Sequence, residues 1–354
     1  MKRECEAKNR LLYVDILNVL ACIAVVALHQ NKVVHYFEAN HSSEWGASLI
    51  VECLFFWAVP VFLMITGTTL MQYRERYDTK TFFKKRFIKI VIPFIFWAIF
   101  MIVWKYNTGL LSISKISIKT ILTILFTNGE ETIYYFMFVI IGVYLTLPVI
   151  SVLSEEKYRK VLWYAVIIFF IFNSVLPTIL DFCQIPCNTY MMIQFTWPIF
   201  YCLLGFLLSH ENFDKNTRIL VYVAAIISII FRYIVTYVLS TKEGKTDRIL
   251  FQYSQFHAVF LASAVFLFIK NLKFDRIQKS EKICNIISKI ASCTFGIYLI
   301  HMIINYYELK IFNINIWSWQ WRTFGIISTY AISLVIVYII KKIPILKRLV
   351  TIVI

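Results

Sequence analysis

Glycine and proline are scarce in this chain of 354 residues, at nine and seven, and charged residues make up only 16%. So few helix breakers leave long helices largely uninterrupted. So little charge excludes a soluble fold of this size, because 60% of the residues are apolar and water would not tolerate that much apolar surface. Other absences narrow the chemistry. No repeat recurs at any period, no glycine-rich loop stands ready to cradle phosphate, and no nucleophile elbow is present. No group of Cys and His has structural-zinc spacing, so no metal is expected. No soluble catalytic domain is appended, so residues 1–354 read as one membrane domain and any chemistry belongs to the bundle itself.

What is present is apolar sequence in long runs. Ten are long enough to cross a hydrocarbon core, which takes about 20 helical residues each. They lie at 11–30, 47–71, 88–104, 133–153, 161–180, 190–209, 219–240, 250–269, 290–307 and 323–341. The expected fold is all-α, a polytopic membrane bundle of about ten helices. The first run lacks a small-residue cleavage site and leads straight into the second, so it reads as a span and not as a signal peptide. The segment 105–132 is expected to carry a short interfacial helix.

Basic residues set the expected orientation. The N-terminal segment and the even-numbered loops, with the tail, hold 26 of the 36 Lys and Arg; the odd-numbered loops hold nine, and Arg232 lies inside a span. Both termini are therefore expected in the cytoplasm. The net charge of +16 reads as a topology signal and an affinity for anionic headgroups. A nucleic-acid footprint has no soluble module to carry it.

Within the spans, polar groups fall in stripes. In "YVDILNVLACIAVVALH", Asp15, Asn18, Cys22 and His29 lie within about 60° of one another on a helix that turns 100° per residue, and Asp15 and His29 are about 21 Å apart along it. Such a stripe must face the bundle or a wet cavity, because ionised groups at mid-membrane cost about 2.5–3.5 kcal/mol each. A plainer reading has Asp15 capping or snorkelling and His29 resting among headgroups. In "CTFGIYLIHMIINYYELK", Thr294, His301, Asn305 and Glu308 share a second face. Glu52, Arg232 and His257 add further polar groups, either to a common polar interior or as buried pairs that fix helix register. Titratable groups gather toward the outer half, which favours a site opening outward.

The run "FFKKRFIKIVIP" places Lys84, Lys85, Arg86 and Lys89 at the mouth of the third span. Positive-inside anchoring explains such a cluster, and so does a polyanionic cytosolic cofactor. Cys22, Cys53, Cys202 and Cys293 read as small packing residues, whereas Cys183 and Cys187 share the loop "DFCQIPCN" and are spaced to pair in an oxidising exterior.

These residues resemble the acyltransferase-3 family of integral membrane acyltransferases, which includes bacterial surface-glycan O-acetyltransferases. Five pieces in order carry the resemblance: "YVDILNVLACIAVVALH", "AVPVFLMITGTTL", "KKRFIKIVIPFIFW", "YYFMFVIIGVYLTLPVIS" and "FGIYLIHMII". One position departs: the family usually has Arg eleven residues before the first-helix His, and Asn18 stands there. Arg74, Arg76 and Arg86 are placed to compensate.

The resemblance implies transfer of an acyl group, usually acetyl, from cytosolic acetyl-CoA or another acyl-CoA to a hydroxyl of a cell-surface or lipid-linked glycan, in the bacterial plasma membrane. It implies His29 as the catalytic residue, acting as general base or carrying the acyl group, with Asp15, Asn18, Glu52 and His301 in support. Lys85, Arg86 and Lys89, with Arg74 and Arg76, are then expected to hold the coenzyme's phosphates. The competing class is a transporter or flippase for a glycan or lipid-linked precursor, which also needs polar stripes, but the repeated halves and broken helices of many transporters are not evident.

Overall fold

The computed structural model describes residues 2–111, 117–119, 122–123 and 134–351, with side chains from residue 12 onward apart from 276 and 345. Among the described residues every regular element is helical. Most of the segment expected to hold an interfacial helix, 105–132, lies outside the described residues.

Helix α1 (Lys2–Gln30) runs into the bundle centre, and its residues 12–30 are mostly enclosed by protein. A short 3-10 turn, Lys32–His35, follows it. Helices α2 (Ser42–Phe55) and α3 (Ala58–Leu70) form one long apolar element with a turn at Phe56 and Trp57. Helix α4 (Thr79–Arg86) begins at Asp78, whose carboxylate accepts from the Thr81 N–H at 3.1 Å. Hydrogen bonds from Thr81 hold that carboxyl below its ordinary pKa. A π-turn, Phe87–Val91, joins α4 to α5 (Ile92–Asn107), and Pro93 sits in the first turn of α5, where its missing N–H costs nothing.

Beyond these come α6 (Tyr135–Ile150), α7 (Arg159–Phe169), α8 (Leu176–Phe182) and α9 (Trp197–His210). The 29-residue α10 (Lys215–Glu243) starts at Asp214 and ends at Gly244, which takes the left-handed conformation that suits glycine. Helices α11 (Phe256–Asn271), α12 (Glu281–Ala291), α13 (Thr294–Phe312), α14 (Ile326–Ile340) and α15 (Pro344–Val350) complete the bundle.

Among the described residues seven continuous helical stretches are long and apolar enough to cross a bilayer, and α12 with α13 makes an eighth if the pair is one span bent by 55°. At the places of the expected sixth and eighth spans stand α9 and α11, apolar helices of 14 and 16 residues. The outer helices turn isoleucine and valine outward: Ile226, Ile230 and Ile234 on α10, Ile327 and Val335 on α14. Such faces suit hydrocarbon and not water. The chain is a multi-pass membrane protein.

Two glycines set the tightest wall of the bundle. A Cβ on Gly67 of α3 would lie 1.9 Å from the Cys202 carbonyl oxygen, and one on Gly205 of α9 would lie 2.3 Å from the Met64 backbone. The two backbones touch there, a contact open only to residues without side chains.

Candidate active site

The polar stripe of α1 and the polar face of α13 meet. Cys22 donates to the Thr294 carbonyl at 3.6 Å, and the Asn18 carboxamide takes a hydrogen bond from the Thr294 hydroxyl at 3.3 Å. Thr294, His301, Asn305 and Glu308 are all buried, and Glu308 accepts a short hydrogen bond from Thr329 on α14. Beside this seam, between α1, α2, α3, α6 and α13, lies a hollow of about 380 Å³.

The hollow has two unlike ends. At one are Arg86, Tyr144, Thr69 and Asn18; at the other are His29, His35, Glu52, Tyr135 and Tyr253. Between them the wall is apolar, with Val25, Val59, Phe62, Ile65 and Ile140. The eleven residues from Asn18 to His29 correspond to about 16 Å along the helix axis.

At the histidine end, His29 faces the hollow and His301 packs behind it, with ring centroids 5.2 Å apart. The His301 Nδ1 lies 2.8 Å from the Tyr298 carbonyl oxygen and 3.1 Å from that of Ile297. Carbonyls only accept, so Nδ1 is the donor in these contacts. The His301 Nε2 is buried with no hydrogen-bond partner among the described residues. The pair therefore presents one imidazole to the hollow and holds a second behind it, its Nδ1 committed to backbone carbonyls.

Glu52 is brought to the hollow from α2 and pairs with Arg232 of α10 across 3.5 Å. Arg232, 1% exposed, also donates to the Leu250 and Glu52 carbonyls at 2.9 and 3.2 Å, and its guanidinium lies 3.8 Å from the Phe56 ring centroid. Phe56 in turn stacks on Tyr253 at 4.4 Å. The pair thus fixes helix register and sets a carboxylate in the site at once. His257 does not line the hollow; it faces Gln255 at 3.2 Å.

At the basic end, Arg86 is buried and donates to the Tyr77 hydroxyl at 3.3 Å, and its Nε has no partner among the described residues. Its guanidinium carbon stands 5.5 Å from the Tyr144 ring centroid. Lys85 is exposed and lies 3.9 Å over the Tyr77 ring; Lys89 is half-buried one turn beyond Arg86. Arg74 and Arg76 are engaged elsewhere. Arg74 holds the Ser151 hydroxyl and the Pro148 carbonyl at 3.0 and 2.9 Å, and Arg76 holds the Thr69 carbonyl. Asn18 is also occupied, donating to the Ala291 carbonyl at 3.4 Å, and Asp15 is half-buried beside Ser288, away from the hollow.

Sequence reasoning did not single out Tyr135, Tyr144, Tyr253 or Phe56. Aromatic residues in apolar runs read as packing, and only the fold turns them toward a cavity. Cys183 and Cys187 are both free thiols, while Cys22, Cys53, Cys202 and Cys293 are buried. Among the described residues no three His, Cys, Asp or Glu converge as a metal set.

Residues 11–338 match the family model described as an acyltransferase domain. No curated protein and no solved structure matches the chain.

Proposed function

The chain belongs to the acyltransferase-3 family and is a membrane enzyme that transfers acyl groups; from that premise we propose that it moves an acetyl group from cytosolic acyl-CoA to a hydroxyl of a cell-surface or lipid-linked glycan. In this reading both termini and the Arg86 end face the cytoplasm and the histidine end faces outward, across a bacterial plasma membrane. The observation that carries the reading is one hollow with a buried arginine at one end and a cavity-facing histidine at the other.

The coenzyme's phosphates bind at the Arg86 end, where the open guanidinium Nε and the nearby Lys89 and Lys85 meet anionic oxygens, and the thioester arm lies along the apolar wall. Arg74 and Arg76 act at one remove. By holding the Pro148 and Thr69 carbonyls they tie the segment between α3 and α4 to α6, which carries Tyr144, and to the end of α3, which carries Thr69.

A hydroxyl is a weak nucleophile at its free pKa, and an imidazole is suited to take its proton near neutral pH. His29 removes the acceptor proton as the oxygen attacks the thioester carbonyl carbon. The new C–O bond forms, the C–S bond breaks, and the proton passes from His29 to the departing thiolate. His301 orients the His29 ring, Asn18 joins α1 to α13, and Asp15 braces α1 beside α12. Glu52, fixed by Arg232, accepts from a hydroxyl of the bound acceptor, whose apolar face rests on Phe56 and Tyr253. Transport without chemistry is not favoured, since the family is one of acyltransferases.

The test is transfer of labelled acetyl from acetyl-CoA by purified protein to a panel of glycan acceptors. The wild type consumes thioester and yields O-acetyl product, and His29→Ala does neither. Consumption that persists in His29→Ala would remove His29 from the reaction.

A further inference from the structure

The loop 244–255, between α10 and α11, forms part of the wall at the histidine end of the hollow, to which it gives Phe251 and Tyr253. It is tied down on several sides. The Thr246 hydroxyl donates to the Val34 carbonyl at 3.2 Å, and Arg232 donates to the Leu250 carbonyl at 2.9 Å. Gln255 donates to the Ile249 carbonyl at 2.6 Å, and Tyr201 to that of Tyr253 at 2.7 Å. The loop is thereby held against the turn after α1 that carries His35. The His35 ring lies 6.1 Å from that of Phe251, and both line the hollow.

Within this loop stands Arg248, exposed and, among the described residues, with no hydrogen bond or ion pair to its guanidinium. The acids around it are already engaged. Glu52 pairs with Arg232, the Asp247 carboxylate accepts from the Ile249 N–H at 3.0 Å, and Glu243 pairs with Lys245 at 3.3 Å. The charges that reach the His35 imidazole are those of Arg248, Lys32 and Arg232, all positive. The mouth of the hollow beside His35 therefore carries positive charge that its own acids do not balance. An open guanidinium is a planar fork that fits a carboxylate or a phosphate, and an imidazole N–H beside it adds a further donor. His29 lines the same hollow, so an acceptor whose hydroxyl reaches His29 has His35 and the Arg248 loop along its path.

We propose that Arg248 and His35 form an anion subsite at the histidine end of the hollow, and that the acceptor is a negatively charged glycan. The anionic group is the carboxylate of an acidic sugar or the phosphate of a phosphorylated one. The acceptor role rests on the acyl-transfer reading; the anion subsite itself does not.

The experiment titrates the purified full chain, without donor so that no transfer occurs, with two matched pairs of glycans. One pair is trigalacturonate and its methyl ester; the other is a hexose 1-phosphate and its methyl glycoside. At least one charged member is expected to bind about ten-fold more tightly than its neutral counterpart, and which one does so tells carboxylate from phosphate. Arg248→Gln is expected to remove most of that difference, and Arg248→Lys, which keeps the charge without the fork, to retain part of it. Lys245→Gln, in the same loop but paired with Glu243, is expected to leave it whole. Equal binding within both pairs, a difference that survives Arg248→Gln, or one that Lys245→Gln removes as fully, overturns the subsite. With acetyl-CoA present, the charged acceptor is expected to show a KM about ten-fold below that of its neutral counterpart, and Arg248→Gln to bring the two together. Arg248-dependent binding without transfer to any acceptor would overturn the acyl-transfer reading and keep the anion subsite, so the two failures read out separately.

Discussion

The imidazole rings of His29 and His301 lie 5.2 Å apart and tilted by 43°, although 272 residues separate them in the chain. Only His29 reaches the hollow; the Nδ1 of His301 is committed to backbone carbonyls of its own helix. Two histidines that looked alike on two polar stripes therefore differ in place, one facing the hollow and one packed behind it, and the proposed reaction gives the first to substrate and the second to its support.

Substitution separates those parts. His29→Ala is expected to lower acetyl transfer by about 10²–10⁴-fold with the KM for acetyl-CoA little changed. His301→Gln is expected to cost less and to shift the pH profile of kcat, because it changes what His29 packs against. A His29→Ala enzyme that keeps more than about a tenth of wild-type turnover is incompatible with a general base at this position.

Arg86 is expected to act on donor affinity. Arg86→Gln should raise the KM for acyl-CoA about ten- to a hundred-fold, the value of one charge-assisted contact of about 1.5–3 kcal/mol. Arg74→Gln should leave that KM near wild type and lower thermal stability in detergent, since its partners are Ser151 and Pro148. The reverse pattern would exchange the two assignments.

The Glu52–Arg232 pair is expected to behave as a buried ion pair. Arg232→Leu strands the Glu52 carboxylate and should destabilise the fold by about 3–5 kcal/mol. Glu52→Gln combined with Arg232→Gln should recover part of that loss, read as thermal unfolding in detergent, while transfer stays impaired. Additive losses in the double variant would mean that the two groups do not compensate each other.

The α3–α9 wall gives a prediction about stability alone. Gly67→Ala drives a methyl into the Cys202 backbone and should cost about 1–3 kcal/mol or more, because neither backbone can withdraw. Gly142→Ala is the matched control: a Cβ there meets nothing within 4 Å, and its variant should be as stable as the wild type or more so. Equal melting temperatures for the two variants would show that the contact at Gly67 is loose.

Much of this was legible in the sequence, for a physical reason. A helix in lipid must hide polar groups, so their angular spacing alone marked the faces of Asp15, Asn18, Cys22 and His29 and of Thr294, His301, Asn305 and Glu308; the structure buries these groups or turns them to the hollow, except Asp15, which stays half-buried away from it. Hydropathy was less exact about spans. It counts apolar residues without registering where an axis turns, so it gave a span at 290–307 with no sign of α12 and the 55° bend before it, and ordinary spans at 190–209 and 250–269 where the short α9 and α11 stand. Pairings across the fold were beyond reach. Nothing near Arg74 announces Ser151, and nothing near Glu52 says that Arg232, 180 residues on, will face it.

The hollow described here also has an electrical consequence. A passage with polar ends set into an insulating sheet is a route for ions, and a membrane under voltage drives about 2.3 kcal/mol per charge per 100 mV through any such route. The Arg86 guanidinium at one mouth repels cations, and the apolar collar of Val25, Val59, Phe62 and Ile65 gives water no partners midway. On the proposed reading, the same two features that receive an anionic donor and its slender arm thus keep the resting protein from short-circuiting the membrane it sits in.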